Sequence, residues 1–252
     1  MLKNKIRTIV IITLILLILS AQVISAKTLS LSGITITVDA GHGGRDPGTT
    51  YGKIYEKDIN LEIAKKLEKE LASNGATVYM TRTADVDLSS IYDSKKKRGD
   101  LYRRLLLIKK NNSDLYISIH INWYDNPSYK GAEVLYNPIN ENNKILADCI
   151  MKEFQNELNS TRTVKKTDLY MYRNTTVPGV LVETGYLSNY SERTQLLNPD
   201  YQEKLSKTIT AGIKSYLKEI STFKLLWSNK HQTTKNTLIK LIIYCKKLEF
   251  KL

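Results

Sequence analysis

Between residues 34 and 220, short β-branched runs alternate with segments of helical apolar spacing, and this alternation restricts the fold more than any other feature. Strands are predicted at 34–39, 77–81, 115–121, 132–136 and 179–183. A further short edge strand is predicted at 169–172. Helices are predicted at 58–74, 99–111 and 142–158, with a last one running from Asn198-Pro199 to Leu217. In the first helix Ile59, Ile63, Leu67 and Leu71 recur every four residues and make one apolar face. Asn74-Gly75 stops that helix. Asn189 and Glu192 stand at the spacing of a capping box for a short helix, and Pro199 suits the first turn of the last one. Strands separated by helices require an α/β sheet covered on both faces, mostly parallel or mixed. No internal repeat or Pro/Gly/Ser linker interrupts 34–220, so this stretch reads as one domain.

The two ends have a different composition. The chain of 252 residues carries a formal charge of +13. Residues 1–27 hold four basic residues and no acidic one, and 221–252 hold seven lysines against one glutamate. The middle is left near balance, at +3, so a nucleic-acid partner, which needs a basic face on the folded domain, is not expected. The basic MLKNKIR, the apolar run from Ile9 to Leu19 and the small residues of AQVISA read as a secretory signal ending at Ala26. The competing reading is an uncleaved N-terminal anchor over 9–24; both export the body of the protein. The lysine-rich and apolar tail, 221–252, reads either as an added helix or extension or as an interfacial membrane helix. Cys149 falls on the apolar side of a predicted helix and reads as a core residue. Cys245 lies in the tail, and no Cys-x-x-Cys pair offers a thiolate zinc site.

In such sheets ligand sites sit in loops at strand ends. Of three histidines, two fall there: His42 in AGHGG and His120 in LYISIHIN. Glycines around His42 allow a tight turn and space for an imidazole. GHGGRDPG has neither phosphate-loop spacing, GxxxxGK[ST] nor GxGxxG. On its own His42 reads equally as a metal ligand or a satisfied turn histidine. His120, late in a buried strand, needs a partner, either a metal or a hydrogen bond. Glu183 closes the run GVLVE, where a carboxylate is costly unless it is paired or functional. Glu56, before a helix, reads locally as a charge that complements the helix dipole.

Together AGHGG, YEKDINL, SIHIN and LVETGYLSN, in this order, resemble the zinc-dependent N-acetylmuramoyl-L-alanine amidases of the third amidase family. The resemblance covers 34–218. DVDL, KRGDLYRR, KGAEVLYN, DLYMYR and NPDYQ are similar to its germination-specific, spore-cortex branch. The resemblance implies one zinc ion held by His42, Glu56 and His120, with Glu183 as the catalytic carboxylate and Arg104 and Asn122 as substrate-binding residues. It implies hydrolysis of the amide between the lactyl group of N-acetylmuramic acid and L-alanine, which prepares muramic acid for δ-lactam formation. It also implies an accessory protein for some members. Trp123-Tyr124 depart from the small residues usual after the second histidine, which bears on the shape of the cleft. The alternatives are an exported peptidoglycan-binding protein without chemistry, and a zinc peptidase cutting within the stem peptide.

Overall fold

The computed structural model describes residues 30–222. The segment read as a signal or anchor and all but the first two residues of the basic tail, Cys245 included, lie outside the described residues. Among the described residues no helix is long and apolar enough to cross a membrane.

Six strands form a mixed sheet in the order β4-β1-β5-β8-β6-β7. They are β1 Thr35–Ala40, β4 Thr77–Met80, β5 Leu115–Asn122, β6 Glu133–Tyr136, β7 Lys165–Lys166 and β8 Gly179–Tyr186. β4, β1, β5 and β8 are mutually parallel, and β6 runs antiparallel to β8. The helices are α1 Glu56–Ser73, α2 Lys96–Lys110, α3 Glu141–Leu158, α4 Tyr170–Arg173 and α5 Tyr190–Leu196, followed by a last helix over 199–222. The α/β architecture expected from the alternation is the one observed.

Strand alternation divides the interior. Ile36, Val38, Ile117, Ile119, Val180 and Val182 face one side. There they join Ile63, Leu67 and Leu71 of α1, Leu146 and Ile150 of α3, and Ile209 and Ile213 of the last helix. Each such side chain, fully buried, contributes about 1.5–3 kcal/mol. Cys149 belongs to this larger core, as expected. Tyr116 and Leu181 point to the other side, where Ile108 of α2 and Met171 and Tyr172 of α4 cover them. Thr37, Asp39, Ser118, His120 and Glu183 share the strand parity of this second side and extend it toward the C-terminal strand ends. The larger core carries the packing, and the thinner face holds the polar residues.

Some local details differ from expectation or add to it. The segment 169–172 is not an edge strand but enters the single helical turn Tyr170–Arg173; its buried Met171 and Tyr172 are adjacent rather than alternating. The sheet edge is β7 instead. β8 continues past Glu183 to Tyr186, beside a register shift in β5 between His120 and Asn122. The loop 43–55 contains a small hairpin, β2 Thr50–Tyr51 with β3 Ile54–Tyr55. Asn189 does cap α5, accepting from Glu192 N. The Glu192 carboxylate, however, accepts from the backbone N–H groups of Gly131 and Tyr186, so only half of the box forms.

Candidate metal centre

β1 and β5 lie side by side and deliver His42 and His120 to the same end of the sheet. Their rings meet edge to face with centroids 5.0 Å apart. Gly41 makes this approach possible, because a Cβ there would collide with the His120 ring. The hairpin turns the chain back so that α1 begins at Glu56 directly beneath both imidazoles. Gly48, at φ +67°, leaves room for the Glu56 carboxylate, which any side chain at 48 would strike. Glu56 Oε1 lies 3.2 Å from His42 Nε2 and 3.1 Å from His120 Nδ1. It also accepts from Ile121 N and Asn60 Nδ2, while Oε2 accepts from Thr49 N. Burial works against the Glu56 charge. The two imidazoles outweigh it and hold the carboxyl well below the usual carboxylate range.

The three residues each offer one ligand atom, all within 4.8 Å of one another. Ligands about 2.0–2.1 Å from a tetrahedral zinc are separated by about 3.3 Å, and both histidine–glutamate separations match that spacing. Two neutral nitrogens and an anionic oxygen are also the donor chemistry zinc takes. The residues therefore fit the ion.

Glu183 stands in register with His120 on the neighbouring strand. It lines a cavity of about 290 Å³ together with His42 and His120. Its Oε2 is shielded from solvent and has no hydrogen-bond partner, although the residue keeps some exposure through the cavity. Burial, then the Glu56 and Glu133 carboxylates, push this carboxyl well above its usual range, with Lys165 opposing them. A divalent cation in the cluster would pull it back down.

Arg104 is used differently from the substrate contact expected of it, and Asn122 is held in part by contacts within the protein. Arg104 is 1% exposed, and its five N–H groups are all taken by protein oxygens. Nε and Nη2 donate to Asp100, Nη1 to Asp39 and Ala40 O, and Nη2 to His42 O. No donor remains for a substrate, and the residue instead fixes the backbone that carries His42. Asn122 accepts from Trp123 N and donates to Glu133 Oε1. The register shift in β5 turns it toward Glu133 of β6, and one of its two amide N–H groups is left over.

Sequence reasoning missed Asp39, Arg82 and Glu133. Asp39 accepts from Thr81, Ser118 and Arg104. Arg82 donates to Ala40 O, Gly41 O and Lys57 O, gripping the same turn from the other side. His42 sits at φ 62°, a left-handed conformation that costs a non-glycine residue about 1–2 kcal/mol, and the two guanidinium groups hold it there. Glu133, fully buried, accepts from Asn122 and Tyr186 and lies 2.7 Å from Lys165 Nζ. The strand-end carboxylate argument applied to Glu183 would equally have singled out Asp39.

Burial opposes the Asp39 charge, but Arg104 and the two hydroxyls prevail and hold its pKa down to about 2. The stabilisation from this group is complete above the ordinary aspartate pKa of 3.8 and is lost as pH falls through about 2. Arg104→Met would leave that carboxylate buried without its cation. The expected cost is about 3–5 kcal/mol in chemical denaturation at neutral pH; a loss under 1 kcal/mol would contradict the clamp.

A three-donor cluster that could hold a metal ion, with a shielded carboxylate beside it at one end of an α/β sheet, has the donor set and geometry of a metal-dependent hydrolase site. The chain belongs to the N-acetylmuramoyl-L-alanine amidase family, whose model matches residues 36–215. It is 41% identical over 197 residues to the germination-specific N-acetylmuramoyl-L-alanine amidase of Bacillus subtilis, covering 76% of this chain and 83% of that one. Among solved structures it is similar to the CwlD amidase of Clostridioides difficile, determined in complex with the GerS lipoprotein. That match has a TM-score of 0.71 and 36% identity, over 74% of this chain and 99% of that one. It is also similar to the catalytic domain of the amidase CwlV of Bacillus (Paenibacillus) polymyxa, with a TM-score of 0.65 and 31% identity, over 73% and 98% of the two chains.

Proposed function

We propose that this protein is an exported, zinc-dependent amidase that hydrolyses the bond between the lactyl group of N-acetylmuramic acid and L-alanine in peptidoglycan, in the spore cortex. The observation that carries the reading is the convergence of His42, Glu56 and His120, with Glu183 in register beside them. The likeness to a germination-specific amidase supports the cortex assignment. The complex of the Clostridioides difficile amidase with a lipoprotein supports an accessory partner of that kind.

His42, Glu56 and His120 would hold the zinc ion. When bound, zinc supplies a Lewis acid for the scissile carbonyl and acidifies water. Glu183 takes a proton from the attacking water as its oxygen bonds to the lactyl carbonyl carbon. Glu183 then gives that proton to the amide nitrogen as the C–N bond breaks. The products are a free lactyl carboxylate on the glycan and a stem peptide with a new L-alanine amino group. Leu101, Leu169 and Met171 supply an apolar wall beside these groups.

Cortex and vegetative peptidoglycan digested with the purified protein should yield stem peptides beginning at L-alanine. Chelator should stop their release and added zinc restore it, as read by mass spectrometry. Fragments cut inside the stem would replace this reading with a peptidase, and unaltered peptidoglycan would replace it with a binding protein.

A further inference from the structure

The catalytic cavity does not end at its apolar wall. Lys97, Leu101 and Tyr170 line it and also line an adjoining surface groove. The other residues of that groove include Lys95, Arg98 and Arg173, and no carboxylate lines it. Three of the four cations come from one stretch, Lys95-Lys96-Lys97-Arg98, at the start of α2, where the first turn holds no acidic residue. Cations at a helix N-terminus oppose the helix dipole and weaken the helix locally, so packing gives no reason to place them there. Lys96 is occupied, donating to Ser90 O and Ile91 O. Lys95, Lys97 and Arg98 are exposed. Arg98 lies over the Tyr170 ring at 5.6 Å. Lys97 has only a long contact to Asp46, at 3.6 Å, and Arg173 is paired with Asp168. Among the described residues Lys95 and Arg98 form no ion pair.

We infer that this groove binds the stem peptide through its free carboxylates, so that the enzyme selects acidic, non-amidated stems. The inference rests on the proposed amidase reading and assigns one half of its substrate to one wall of the site. The two halves differ in charge. The muramoyl carboxyl is consumed in the scissile amide, which leaves the glycan uncharged at the cut. The stem carries its C-terminal carboxylate and those of its acidic residues. A cationic groove that opens from the cavity beside His42, His120 and Glu183 therefore complements the peptide and is indifferent to the sugar. A peptide lying in it begins at the bond to be cut and runs past Tyr170 toward Lys95 and Arg98.

The test uses the full-length, zinc-loaded protein and calorimetric binding of the free stem peptide, a product that needs no hydrolysis to report. Two peptides are compared, one with free carboxylates and one with every carboxylate amidated. The wild type should bind the acidic peptide at least about tenfold more tightly, a preference that shrinks as salt shortens the reach of exposed charges from about 10 Å at 0.1 M to about 3 Å at 1 M. The Lys95→Gln/Lys97→Gln/Arg98→Gln variant should lose the preference while keeping its zinc content and its affinity for the amidated peptide. Equal binding of the two peptides by the wild type, or a preference retained by the triple variant, overturns the groove. Release of stem peptides from peptidoglycan is scored separately. Selective binding without release would overturn the amidase reading and leave the groove standing; release without selectivity would do the reverse.

Discussion

The Glu183→Gln variant is expected to bind zinc as the wild type does and to lose hydrolysis by a factor of about 10²–10⁴, the range over which a positioned general acid–base group acts. The substitution keeps the shape of the side chain and removes its capacity to accept and return a proton. Glu183 is not among the three converging ligand residues, so the metal site has no reason to change. Its Oε2 has no partner within the protein, so no structural hydrogen bond is lost there. Zinc content by elemental analysis and stem-peptide release by mass spectrometry are the two readouts. Turnover within a few-fold of wild type would remove Glu183 from the chemistry. Loss of zinc alongside activity would make it a ligand or a support of one.

His120→Ala is expected to abolish activity through the metal. Changes in groups that only support ligands cost about 10–100-fold in metal affinity, so removal of a ligand should cost at least the upper end of that range. The fold should survive, because Glu56 retains Ile121 N, Asn60 Nδ2 and Thr49 N as donors. Far-ultraviolet circular dichroism should therefore remain close to wild type while zinc occupancy falls. Full occupancy in this variant would exclude His120 as a ligand. The two variants separate the roles: one keeps the ion and loses the proton transfer, the other loses the ion.

Helix periodicity exposed α1 and its inward face, since Ile59, Ile63, Leu67 and Leu71 need only one covered side to be placed. The same rule, applied strictly to α2, extends to Arg104, which the sequence reading left off the inward face. Positions 101, 104, 105 and 108 share one stripe of α2, and Arg104 is buried with Leu105 and Ile108. The resemblance of KRGDLYRR implied a substrate contact for Arg104, but position on the stripe is the better guide. The four residues at 169–172 were too few for spacing to separate strand from helical turn. β8 runs on from Glu183 through Thr184-Gly185 because its pairing with β5 resumes at Asn122–Tyr186 after the register shift.

By itself the sequence determined the alternating α/β order, the strands that carry His120 and Glu183 and the turn after β1 that carries His42, and, through its motifs, the family. These depend on periodicity and residue identity over short stretches, which survive without knowledge of neighbours. Only the tertiary structure decided that Glu56 lies beneath both imidazoles, that Arg104 and Arg82 grip the His42 turn, and that Asn122 faces Glu133. Each of these depends on the direction in which a loop or bulge turns a side chain toward residues distant in sequence. Local propensity carries no information on such directions. They are set when the hairpin folds back, α2 docks on the sheet, and buried polar groups must find partners.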